Sequence, residues 1–336
     1  MKNDPVELIC QKIAESQHIV ITSHLRPDGD SICTSLAIYF IGMQLGKDMA
    51  IINKDNTPFP LNHFPDVDVI RIGQIASQKY DTIILLECAN VDRSGQLHID
   101  DYFKINMDHH FSNDYYADIN WVDPDASAVA EMAFKIGKKL NIRFTPQIAN
   151  HLYCGIVSDT GSFQFSNTNA DSFKACYELV SLGASPIRIS ELLFNNNPPE
   201  KIKLLGLVLS TLHLNETGDI AVITMFKEHL DSQHLKEIDT EDITTLTRSI
   251  KGVKIVLFFK EMTKGTFRVS IRSKGSANAA RIAEYFGGGG HQHAAGFTVS
   301  GKHDQLIHSL PQKVQELLKK NPRIKKNIRN HQSPSK

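Results

Sequence analysis

Residues 18–46 read HIVITSHLRPDGDSICTSLAIYFIGMQLG, and this stretch decides the fold. His18 to Ser23 is a short apolar run ending in polar residues, the pattern of a strand buried on both faces. Ser31 to Leu45 carries apolar residues at helical spacing and stops at Gly46, a residue suited to the turn after a helix. Between them lies the loop His24 to Asp30, where Pro27 and Gly29 oppose a regular helix. Strand, polar loop and helix in this order begin a βαβ arrangement, whose sites gather beyond the carboxyl ends of the strands.

The alternation continues outward. Asp4-Pro5 before VELICQKIAES supplies a helix cap and a first-turn proline. Residues 49–53, 67–72, 82–87 and 105–108 read as further short strands, and 127–140 and 146–157 as helices. Residues 1–185 are therefore expected to form an α/β domain with a mostly parallel sheet flanked by helices. After Asp159 come helical stretches at 170–182, 187–194 and 199–212, with NNNPPE at 195–200 as a boundary signal. We read 186–215 as a helical linker. From Gly218 the strands DIAVITMF, KIVLFFKEM and TFRVSIRS precede a helix at 277–286, a glycine loop, a strand at 295–300 and a helix at 305–319. This predicts a smaller mixed α/β domain over 216–318. Residues 319–336 hold seven Lys/Arg and no acid, which reads as a disordered basic tail.

Bulk properties narrow the function classes. A chain of 336 residues suits two domains. Lys+Arg and Asp+Glu both total 37, so the basic excess of a long-duplex binder is absent, while small anionic ligands fit. No apolar run reaches signal-peptide or membrane-span length, and the five cysteines are scattered without a CxxC pair. The cytoplasm is expected, with no membrane partner, and a homodimer is left open.

The chemistry lies in four short places, each expected just after a strand. Ser23-His24-Leu25-Arg26-Pro27-Asp28-Gly29-Asp30 packs one imidazole and two carboxylates into a loop, where the plainer reading is an acidic turn capping the next helix. Glu87 ends a strongly apolar strand, a costly position for an acid without a partner; Arg93 would be the structural partner. Met107-Asp108-His109-His110-Phe111 has adjacent histidines behind an acid able to orient an imidazole. Asp159 closes the apolar run GIVSD before Thr160-Gly161. Carboxylates with imidazoles and no thiolate suit manganese, magnesium or iron better than structural zinc, and a pair of such ions is a common clamp in phosphoryl chemistry. Near the end, Gly287-Gly288-Gly289-Gly290-His291 could offer backbone amides to an anion, close to Arg272-Ser273 at a strand end; a flexible loop is the plainer alternative.

In this order and spacing, HLRPDGD, the acid of LLECAN, DHH and SDTG resemble the motifs of the DHH phosphoesterase family, and GGGGHQHAAG resembles the hallmark of that family's C-terminal partner domain. The resemblance spans about residues 5–315 and is nearest, in length and layout, to the nanoRNase and phosphoadenosine-phosphate phosphatase branch. It implies two divalent cations, manganese with magnesium as the alternative. His24 and Asp28 would hold one, Asp30, His109 and Asp159 the other, and Glu87 both. It places His110 near the substrate phosphate, with Asp108 holding the histidine loop from behind. Arg272, Ser273, Gly288, Gly289, Gly290 and His291 would bind the substrate, in a cleft between the domains. The implied substrates are short single-stranded RNA or DNA oligonucleotides, or bisphosphate nucleotides. A cyclic-dinucleotide phosphodiesterase, a single-strand exonuclease and a non-catalytic nucleotide-binding regulator are the alternatives. The family usually has Asp where this chain has Glu87.

Overall fold

A computed structural model describes residues 4–76, 79–233, 241–290 and 292–320. His291 and the tail from residue 321, on which two of the expectations above fall, lie outside the described residues. The chain divides into two compact units, Met1–Asn196 and Asn197–Lys336.

In the first unit the elements run α1 (Pro5–Glu15), β1 (His18–Ser23), α2 (Gly29–Gln44), β2 (Asp48–Asn53), β3 (Ile70–Ile72), β4 (Thr82–Leu86), β5 (Phe103–Asp108), β6 (Ile119–Val122), α3 (Val129–Lys139), α4 (Pro146–Asp159), α5 (Ala170–Ser181) and α6 (Pro186–Phe194). The strands form a six-stranded sheet in the order β3-β2-β1-β4-β5-β6. Every pairing in it is parallel. Both faces are covered. Ile19, Ile21, Ile84 and Leu86 join one core with residues of the helices, while Val20, Ile83 and Leu85 join the opposite one. That is why these strands read as continuous apolar runs rather than alternating ones. Strand order reverses between β1 and β4, and in open α/β sheets the crevice at such a switch point is where ligands bind.

Several details differ from the sequence reading. Helix α2 starts at Gly29 rather than Ser31, because Asp28 caps it from an extended backbone. The expected strand at 67–72 is a 3-10 turn, Val67–Val69, followed by the short β3. Strand β6, half-buried at the sheet edge, was too weakly apolar to be read. Asp159 does not follow a strand; it is the last residue of α4.

The second unit holds α7 (Pro199–Leu209), β7 (His213–Leu214), β8 (Ile220–Met225), α8 (Lys227–Ser232), α9 (Glu241–Arg248), β9 (Ile255–Thr263), β10 (Thr266–Ser273), α10 (Ala279–Tyr285), β11 (Gly289–Gly290), β12 (Ala294–Ser300) and α11 (His303–Lys320). Its mixed sheet has the order β11-β12-β10-β9-β8-β7, with β8 and β9 parallel. The helices read as a linker are divided between the units: Ile189 of α6 belongs to the first core, and Leu204 and Val208 of α7 to the second. No helix among the described residues is long and apolar enough to cross a membrane.

Candidate active site

The ends of β1, β4 and β5 and the ends of two helices converge at the switch point. His24 follows β1, and Asp28 and Asp30 begin α2. Glu87 follows β4, His109 follows β5, and Asp159 closes α4. Two groups of side chains result, His24 with Asp28 and Glu87, and Asp30 with His109 and Asp159; within each, one ligand atom per residue lies within 4.8 Å of the others.

Both histidines are held by one ring nitrogen and offer the other. Nδ1 of His24 lies 2.8 Å from the carbonyl of Leu25, while its Nε2 lies 3.5 Å from Glu87 Oε2 and 3.6 Å from Asp28 Oδ2. Nδ1 of His109 lies 3.1 Å from the carbonyl of Ala126, and its Nε2 is 3.7 Å from Asp159 Oδ2. With Nδ1–H donating to a carbonyl, the Nε2 lone pair faces the carboxylates, the tautomer a metal-ligating histidine needs. Burial disfavours each imidazolium. Asp28 beside His24, and Asp159 and Asp30 beside His109, outweigh it and raise both histidines above their usual range.

Glu87 is the most confined acid. Its residue is 1 % exposed, its backbone is left-handed at φ 57°, and its Oε1 is buried without a hydrogen-bond partner. No ion pair with Arg93 exists among the described residues; the basic side chain Glu87 meets is the His24 imidazole. Burial, then the charges of Asp28, Asp30 and Asp159, push the Glu87 carboxyl well above the usual range. Burial and Asp30 likewise raise Asp159 to about 7. Carboxylates crowded against one another in a buried site, with one oxygen unsatisfied, lack a positive charge, and two oxygen-rich triads with one imidazole each are a donor set that divalent cations fit.

The surrounding residues position this set. The fully buried Asp30 accepts the amides of Val129 and Ala130, the first residues of α3, and the hydroxyl of Thr34. Asp108, also fully buried, accepts the amides of His109 and His110, the His110 ring at 2.6 Å and the Asn113 side chain. Burial opposes its ionisation, but the His110 contact outweighs burial and holds Asp108 below the usual carboxylate range. Asn167 donates to Asp159 Oδ2 and to the carbonyl of Ser127. Gly155 lets α4 approach: a Cβ there would sit 2.7 Å from Asp30 Oδ1 and 2.6 Å from the Ala130 methyl. Sequence reasoning did not select Asn113, Asn167 or Gly155. Only Gly155 left a signal, as a glycine inside a helical pattern.

In the second unit, β10 and β12 pair Arg272 with Ala294, and β11 pairs Gly290 with Ala295, so these residues share one end of the sheet. Arg272 is half-buried. Ser273 is 1 % exposed and its hydroxyl donates to Ala277 O at 2.8 Å. The amides of Gly287 and Gly288 are spent on the end of α10, donating to Glu284 O and Ala283 O. A Cβ at Gly288 would meet Gly296 O at 2.1 Å, so that glycine is required by packing. Gly289 borders open space.

An α/β unit with a parallel sheet and paired carboxylate–imidazole triads at its switch point, followed by a smaller mixed unit, defines the class, and comparison with known proteins narrows it. The family model described as "DHH family, N-terminal domain" matches residues 18–156, and "DHHA1 domain" matches 219–321. The bifunctional oligoribonuclease and PAP phosphatase NrnA of Thermus thermophilus is 31% identical, covering 89% of this chain and 90% of that protein. The protein of the same name from Bacillus subtilis is 29% identical, covering 84% and 89%. A solved exopolyphosphatase-related protein from Bacteroides fragilis superposes with a TM-score of 0.85 at 25% identity, over 96% of this chain and 97% of that one. The chain belongs to the DHH family of phosphoesterases.

Proposed function

We propose that this chain is a metal-dependent phosphoesterase that hydrolyses short oligonucleotides and the 3′-phosphate of bisphosphate nucleotides. The carrying observation is the buried, unpartnered Oε1 of Glu87 amid five further residues able to ligate a metal, two imidazoles and three carboxylates. Relatives named oligoribonuclease and PAP phosphatase, similar over nearly their whole length, support the substrate class.

His24 and Asp28 would hold one cation, Asp30, His109 and Asp159 a second, and Glu87 both. Manganese or magnesium suits these oxygen and imidazole donors. Such ions supply charge neutralisation at phosphorus and an acidified water. The protein contributes the rest. Asp108 accepts the Nδ1–H of His110, which fixes that ring, and the doubly protonated ring would pass its Nε2 proton to the leaving oxygen and return to the neutral Nδ1–H form. Arg272, Gly289 and Gly290 bind substrate anions, with His291 beside them in sequence, while Gly288, its amide committed to Ala283 O, serves packing. Ser273 turns its hydroxyl inward to Ala277 O and braces the turn that leads into α10.

The test is elemental analysis of the purified protein together with phosphate or mononucleotide release from oligomers of two to six nucleotides and from a 3′,5′-bisphosphate, with manganese. Bound divalent cations with turnover of the shortest oligomers are expected. A metal-replete protein that binds nucleotides without turnover would make it a regulator instead.

A further inference from the structure

Phe111 directly follows His110 and is 90% exposed, the most exposed of the large apolar side chains in the described structure. A single exposed apolar residue is ordinary, but this one is held out rigidly. The carbonyl of His110 accepts the amide of Asn113, closing a turn around Phe111. Asn113 donates to Asn106 and Asp108. The amide of Asp114 donates to Ala89 O at 2.8 Å. Tyr115, on the same loop, is 62% exposed with a left-handed backbone at φ 53°, its amide bound to Asn113 Oδ1. The loop that aims His110 therefore also displays two aromatic side chains, with Asn113 spent on bracing the loop rather than on covering them.

We propose that Phe111 is a stacking platform for the nucleobase flanking the scissile phosphate, and so determines specificity for nucleotides over base-free phosphoesters. This rests on the phosphoesterase reading above. A base laid on Phe111 is tied by one nucleotide to the phosphate that His110 reaches. Every base has a π-face, so stacking gives affinity without choosing among sequences, as the degradation of short fragments of any sequence requires. The platform acts on binding and leaves the proton transfer at His110 untouched.

The experiment compares the wild type with Phe111→Ala and Phe111→Trp on a 5′-phosphorylated dinucleotide and on the same backbone lacking its bases, with manganese present. Phe111→Ala should raise KM for the dinucleotide about ten- to hundredfold, with kcat within a few-fold, while the abasic compound, which has nothing to stack, responds to neither substitution. Phe111→Trp should restore the dinucleotide KM, and the emission it introduces should be quenched by the dinucleotide and not by the abasic compound. Equal losses on both substrates, or an unchanged dinucleotide KM in Phe111→Ala, overturn the platform. If the wild type turns over neither compound, the hydrolytic reading has failed instead. The Phe111→Trp quenching, read as binding, then still decides the platform: quenching by the dinucleotide alone sustains it, and none overturns it.

Discussion

The carboxylate of Asp30 accepts the backbone amide of Ala130 at 3.0 Å, so a residue proposed to hold a cation also closes the N-terminus of α3. Ala128, the residue at the cap position, provides no side-chain bond of its own. Asp30→Ala thus removes a proposed ligand and leaves buried amides without an acceptor, at a cost of about 1–3 kcal/mol. His109 makes one bond to a backbone carbonyl. Both Asp30→Ala and His109→Ala should lose turnover, but only Asp30→Ala should melt markedly lower. Equal melting temperatures would refute the structural half of this assignment.

Glu87 tests the shared ligand. Glu87→Gln keeps the shape and removes the charge, so it should lose at least one cation and nearly all activity while relieving the carboxylate crowding. Glu87→Asp should remain folded and metal-bound, since Asp tolerates the left-handed backbone better than most residues do. Elemental analysis beside turnover decides it; full occupancy in Glu87→Gln would remove Glu87 from the cation site.

Asp108→Asn probes orientation. The substitution removes the charge that accepts the His110 ring hydrogen. Turnover should fall about 10–100-fold with the cations retained, as supporting groups behind a site typically show. Loss of metal in step with activity would instead make Asp108 a ligand.

Gly155→Ala probes the approach of α4 to α2. The added methyl would press on Asp30 Oδ1 and the Ala130 methyl. We expect a stability loss of about 1–3 kcal/mol and weaker cation binding, read by denaturant melts and by metal titration. An unperturbed variant would mean the two helices separate freely.

Asp159 predicts a pH dependence. Burial and the neighbouring Asp30 carboxylate raise its folded pKa to about 7, well above the usual carboxylate range, so the folded protein holds a proton that the unfolded chain has released. The metal-free protein should therefore lose stability as pH rises from about 4 to about 7. The metal-free Asp159→Asn variant should lack this component, so the difference in melting temperature between the two should shift in favour of the variant across that window. A constant difference would contradict the raised pKa.

What was legible in the sequence was local. The strand at 18–23, the loop at 24–30 and the helix after it announce themselves through apolar runs and turn residues, because a strand buried on both faces must be apolar whatever else the protein does. The same locality exposed the acids of the site: a carboxylate at the end of an apolar strand is costly and so conspicuous. Short or half-buried elements, such as β6, α8 and β11, carry too few apolar positions to be read. Other features depend on segments far apart in the chain. Asp30 and Val129 are 99 residues apart when they bond, and whether Glu87 is a buried partner of Arg93 or an unsatisfied acid facing its own kind is decided only when β1, β4 and α4 meet. Local pattern determines which side chains are available at each strand end; burial and distance, which exist only in the folded chain, decide which of them share a charge.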